Sequence, residues 1–119
     1  MMSGKKIIIA ALAFALLIGI MYADINIQHS IININPNPME KSTVITVTFA
    51  ERVDAEIIIE TETGILIKSL FTGDLEAGVY EFFWNRMSNE GFLVPNGKYS
   101  VTVNYDYRYT STKKTLILK

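Results

Sequence analysis

The side chains that could do chemistry in this chain are few and scattered. His29 is the one histidine and cysteine is absent, so the nitrogen and sulfur ligands of an ordinary zinc site are missing. No Ser sits in a Gly-x-Ser-x-Gly turn, and His29 alone gives no basis for a nucleophilic triad. No glycine-rich phosphate loop occurs. The acids do cluster, with Glu56, Glu60 and Glu62 around one turn and Asp74 and Glu76 after it. A carboxylate pair serves as general acid and base only where burial or like-charge crowding splits the two pKa values. These acids alternate with apolar residues, a pattern that places them on a solvated face. Asn85, Ser88, Asn89 and Glu90 offer oxygens of the kind calcium takes, but without EF-hand spacing. The expectation is a non-enzyme with no catalytic residue, no cofactor and no metal.

One cluster points to a partner instead. Tyr105, Tyr107 and Tyr109 alternate with Asp106 and Arg108. Tyrosines at a hairpin tip either cover the end of a sheet or form a contact patch, because Tyr brings large area at low entropic cost. The three tyrosines are the candidate protein-contact residues.

The elements that must position them are short and extended. Ser42 to Phe49 alternates apolar Ile45, Val47 and Phe49 with Thr46 and Thr48, and Val53 to Glu60 repeats the pattern with Val53, Ala55, Ile57 and Ile59. A period of two with one polar face marks a half-buried strand. Thr61 to Gly64 reads as a hairpin turn, Ile65 to Leu70 as the return strand, and Val79 to Trp84 as an aromatic strand. Pro95-Asn96-Gly97 turns the chain into a strand led by Tyr99, Val101 and Val103, and Thr112 to Leu118 makes the last. An irregular lead-in strand, Ile25 to Ile34, ends at Asn35-Pro36-Asn37-Pro38, where two prolines remove backbone donors. No stretch after residue 24 keeps a helical period. About seven short strands with Gly, Pro and Asn turns imply an all-β antiparallel sandwich. Its expected core includes Phe49, Ile57, Ile59, Phe82, Trp84, Tyr99 and Val101.

The front of the chain differs. Lys5 and Lys6 precede an uncharged run from Ile7 to Ala23. A basic head before an apolar stretch is the pattern of a signal peptide, with Ala23 at the cut, or of an uncut membrane anchor. Residues 1–23 are therefore expected to form a hydrophobic helix serving one of these ends, and residues 24–119 one folded domain. Both readings place the domain outside the cytoplasm, in the periplasm, at the cell surface or beyond, with membrane contact only through residues 7–23 if they are uncleaved. Without cysteine no disulfide holds it. From Asp24 on, nine basic side chains face twelve acidic ones, a mild acidity that argues against a nucleic-acid partner.

In order along the chain, Asn35-Pro36-Asn37-Pro38, the alternating run to Phe49, Ala55, Ile57, Ile59, Gly64, Ile67 and Leu70, Ala77-Gly78, Tyr80, Phe82 and Trp84-Asn85, Gly91, Val94, Gly97 and Tyr99 form an ordered set. From about residue 34 on, this set resembles the immunoglobulin-like domain of the flagellar hook-capping protein FlgD. It is equally similar to the type A C-terminal sorting domain of the type IX secretion system, whose basic-apolar tail Lys113 to Lys119 matches. Two positions depart from the pattern: Arg86 stands where Gly is usual, and Lys98 separates Gly97 from Tyr99. The resemblance implies an immunoglobulin-like sandwich. The expected function is that of a non-catalytic module for protein–protein interaction or structural assembly at the envelope or surface, with another envelope or surface protein as partner. The alternatives are a sorting domain read by a type IX secretion machinery and a membrane-anchored subunit of a surface filament.

Overall fold

The computed structural model describes residues 30–105 and 110–119. The expected helix over residues 1–23 and His29 lie outside them, as do Tyr107 and Tyr109. Seven strands run in chain order: β1 (Ser30–Asn35), β2 (Thr43–Phe49), β3 (Val53–Thr61), β4 (Leu66–Leu75), β5 (Gly78–Trp84), β6 (Gly97–Tyr105) and β7 (Thr110–Leu118). They form a three-stranded sheet, β1-β2-β5, and a four-stranded sheet, β4-β3-β6-β7. Every pairing within the two sheets is antiparallel.

The alternation seen in the sequence becomes the inside and outside of a sandwich. Ile32 and Ile34 of β1, Ile45, Val47 and Phe49 of β2 and Trp84 of β5 point inward from one sheet. Ala55, Ile57 and Ile59 of β3, Tyr99, Val101 and Val103 of β6, and Leu116 and Leu118 of β7 meet them from the other. Phe82 is only half-buried and packs against this core from its margin. Apolar area removed from water is the main stabilising term here, at about 25 cal/mol per Å².

Turns follow local chemistry. At Thr61–Gly64 the Gly64 amide donates to the Thr61 carbonyl and the Thr61 amide to the Ile65 carbonyl, with Gly64 at φ +92°. A turn closed by a left-handed residue is a common hairpin solution, and glycine reaches that φ without Cβ strain.

Three features differ from the sequence reading. β4 runs past Leu70, where the return strand was expected to end, through Gly73-Asp74 to Leu75. Two register shifts against β3 leave Ile67 and Leu70 as extra residues on β4, which breaks the strict alternation that strand patterns rely on. Glu60, expected in solvent, is 8% exposed. Its carboxylate accepts from Thr102 Oγ1 and pairs with Lys113 Nζ at 3.3 Å on the outer face of the four-stranded sheet. Partners on the adjacent strand β6 and on β7 beyond it are what let a carboxylate stay covered there.

Candidate protein interface

The acids offer no converging site. Glu56 accepts from Asn104 Nδ2 at 3.0 Å, and Glu60 is held by Thr102 and Lys113. Asp74 and Glu76 bracket Arg52 at 3.2 and 3.4 Å on the surface. The hydrogen bond that Arg52 Nη2 donates to Asp74, helped by the charge of Glu76, raises the Arg52 pKa above its ordinary value. Among the described residues no group of three or more His, Cys, Asp or Glu side chains could hold a metal ion. In the 85–96 loop, Asn89 Oδ1 accepts from the Ser69 amide and Ser88 Oγ from the Phe92 amide. These oxygens serve the loop's own backbone.

Tyr105 needs a correction. It ends β6 as a core residue, 1% exposed. Its ring meets Phe49 edge-on at 6.3 Å. Its hydroxyl bonds with Ser30 Oγ and, at 2.8 Å, with Thr112 Oγ1. It continues the inward row of Tyr99, Val101 and Val103, so its ring is not available to a partner.

The sheet edges show where a partner has room. β7 is covered along its outer side by the segment after β1. Asn37 Nδ2 donates to the Thr115 carbonyl while Asn37 Oδ1 accepts from the Ile117 amide, and Met39 exchanges backbone bonds with Ile117 and Lys119. β4 is covered in the same manner by Asn89, whose amide donates to the Ile67 carbonyl while its Oδ1 accepts from Ser69. An asparagine side chain imitates a peptide group, so both residues occupy edges that would otherwise template another strand. Among the described residues nothing comparable lies along β5.

Exposed apolar side chains gather on the β5 side. On the outer face of the three-stranded sheet, rows set by the register read Ile31–Thr48–Val79, Asn33–Thr46–Glu81 and Asn35–Val44–Phe83. Val79 is 64% and Phe83 67% exposed. Past Trp84, the 85–96 loop carries exposed Phe92 and Leu93. Through the Asn89 bonds this loop is fixed beside the start of β4, where Ile65 and Leu66 are exposed as well. A cluster of large apolar side chains in water marks a contact surface. The sequence did not single it out, because Phe83, Phe92 and Leu93 read as ordinary strand and loop residues until the strand order is known.

Comparison with known proteins agrees with this architecture. Residues 34–108 match the family model of the FlgD Ig-like domain. The basal-body rod modification protein FlgD of Salmonella typhimurium is 35% identical over 54 residues, which are 45% of this chain and 22% of that protein. The same protein of Salmonella typhi matches equally. The chain thus spans about a fifth of the length of these curated relatives. Among solved structures, dimeric latent PorU of Porphyromonas gingivalis superposes with a TM-score of 0.59 at 18% identity, covering 82% of this chain and 10% of that one. At that identity the likeness is one of fold. PorZ, a surface component of the type IX secretion system of the same organism, gives a TM-score of 0.47 at 20% identity over 74% of this chain and 11% of that one.

Proposed function

This chain belongs to the FlgD Ig-like domain family, and from that premise we propose that it is an exported, non-catalytic β-sandwich module that joins other proteins in an assembly at the cell envelope or surface. The observation that carries the reading is the exposure of Val79 and Phe83 on the outer face of β5, and of Phe92 and Leu93 in the loop that follows it, beside a strand edge that no described residue covers. Side chains of this size in water are compensated when a partner covers them. The Salmonella relative is named for modifying the rod of a basal body, an assembly of proteins, which supports the same direction. Export rests on the basic head and the apolar run Ile7 to Ala23.

The tail Lys113 to Lys119 bears on the sorting alternative. Its residues as far as Leu118 belong to β7, and Leu116 and Leu118 are core. As an address it would be read from a folded strand, and deleting it would remove part of the fold.

A photo-crosslinking amino acid placed at Phe83, at Phe92 and, as a control, at Lys114 tests the proposal in the native host. The first two positions are expected to give discrete adducts with an envelope or surface protein, and Lys114, exposed on the far sheet, none. Absence of adducts at both Phe83 and Phe92, or the same adducts from all three, would refute it.

A further inference from the structure

The two sheets are unequal, and the missing strand is on one side. β1 and β7 lie against each other at the closed flank, with Met39 and Asn37 completing the β7 edge. At the opposite flank β5 ends the three-stranded sheet and β4 the four-stranded one, and Phe82 meets Phe71 there at 6.3 Å between ring centres. Inward-facing side chains along this flank stay half-buried: Leu70, Phe71 and Leu75 on β4, Tyr80 and Phe82 on β5. A core margin left partly wet beside an unpaired strand is the geometry that an added strand completes.

β5 also lacks the devices that guard the other edges. β4 has two bulges and Asn89, β7 has Lys113 and Lys114 with Asn37, and β1 runs into Pro36 and Pro38. β5 is a regular seven-residue strand without Pro, Lys or bulge. Its backbone groups on the side away from β2 have no partner among the described residues.

The side chains on β5 state what the incoming strand must carry. Outward along it stand Val79, Glu81 and Phe83. Glu81 is the single charge in the outward rows that β1, β2 and β5 make, and no ion pair engages it among the described residues. A second copy of β5 fits poorly. The antiparallel register that sets Val79 against Phe83 on both sides sets Glu81 against itself, and like charges directly opposite are destabilising.

We infer that the β5 edge receives an extended segment of a different protein, with a basic residue opposite Glu81, apolar residues two positions to either side, and apolar residues between them that cover Phe71 and Phe82. The inference rests on the reading of the chain as an assembly module and names the chemistry of its partner. Main-chain hydrogen bonds supply affinity, and the outward positions supply choice.

Two peptides test it against the full chain by isothermal titration. Their cores are Ile-Val-Lys-Val-Ile and Ile-Val-Glu-Val-Ile, each flanked by Gly and Ser for solubility. The lysine peptide is expected to bind at least about tenfold more tightly than the glutamate peptide, and Glu81→Lys to reverse that order, since opposed charges across a strand pair favour binding and like charges oppose it. N-methylation of one alternate set of peptide amides is expected to abolish binding, and of the other set to leave it intact, because only one set faces β5. Equal binding of both peptides, no saturable binding, tolerance of both methylation patterns, or a stable β5-to-β5 dimer with Glu81 in place would overturn the inference. Crosslinks from Phe92 in the host, persisting alongside such a result, would leave the assembly reading standing. Their absence too would remove both.

Discussion

Trp84→Ala is expected to destabilise the domain by about 3–5 kcal/mol, the range for removing a large aromatic side chain from a packed interior. The only tryptophan of the chain is 1% exposed at the end of β5. Its indole Nε1 donates to the Met87 carbonyl at 2.8 Å. It thereby joins the core to the 85–96 loop. The substitution leaves a cavity and an unmatched carbonyl together, and domains of this size have only about 5–15 kcal/mol in all. Trp84→Phe separates the two contributions, since it keeps most of the ring and loses the donor, and should cost markedly less. Phe92→Ala on the surface should change stability by no more than about 0.5 kcal/mol. Urea unfolding followed by far-ultraviolet circular dichroism measures all three without needing the indole signal. A loss under about 1 kcal/mol for Trp84→Ala would contradict the packing described.

Arg86 carries the second large effect. Its backbone stands at φ +73°, a left-handed conformation that costs a residue with a Cβ about 1–2 kcal/mol. The family pattern that this chain resembles places Gly at the position, and Arg is the departure. The guanidinium offsets the strain. Nε donates to the Val94 carbonyl at 2.7 Å, Nη1 to the carbonyls of Glu40 at 2.7 Å and Lys119 at 3.3 Å, and Nη2 to Asn96 Oδ1. One side chain thus ties the β1–β2 connection, the 85–96 loop and the end of β7 together. Arg86→Ala keeps the strained backbone and loses every one of those bonds, so it should cost about 2–3 kcal/mol, in line with charged hydrogen bonds. Arg86→Gly loses the bonds but relieves the strain, and should recover about 1 kcal/mol of that loss. The expected order of urea midpoints is wild type, then Arg86→Gly, then Arg86→Ala. If the glycine variant were the less stable of the two, the offset between strain and bonding would be disproved.

Much of the fold was legible in the residues. Alternation alone located β2, β3 and β5, because a strand with one face in a core must repeat every second residue. The turn at Gly64 and the chain reversal before Tyr99 were visible for the same local reason. What stayed hidden depends on contacts between distant segments. The bulges that displace Ile67 and Leu70 are set by β3. The burial of Glu60 needs Thr102 from the adjacent β6 and Lys113 from β7 beyond it. The roles of Asn37 and Asn89 as edge covers appear only when the strand order is known. Tyr105 shows the limit most clearly. Its period with Tyr99 and Val101 marked the inward face, yet the run of three tyrosines suggested an exposed tip. The apolar surface around Phe83 and Phe92 was missed for a related reason, since neither residue is unusual in its own segment.

Whether the β5 edge stands open in the free chain decides how a partner can join it. Native-state hydrogen exchange, read residue by residue by NMR on the full chain, addresses that directly. Alternation is expected along Gly78–Trp84. Amides bonded to β2 should exchange slowly, and those facing away should exchange at nearly open-chain rates until the lysine peptide is added, when they become protected. Uniform protection of β5 in the free chain would mean that the edge is already occupied, and would contradict the claim.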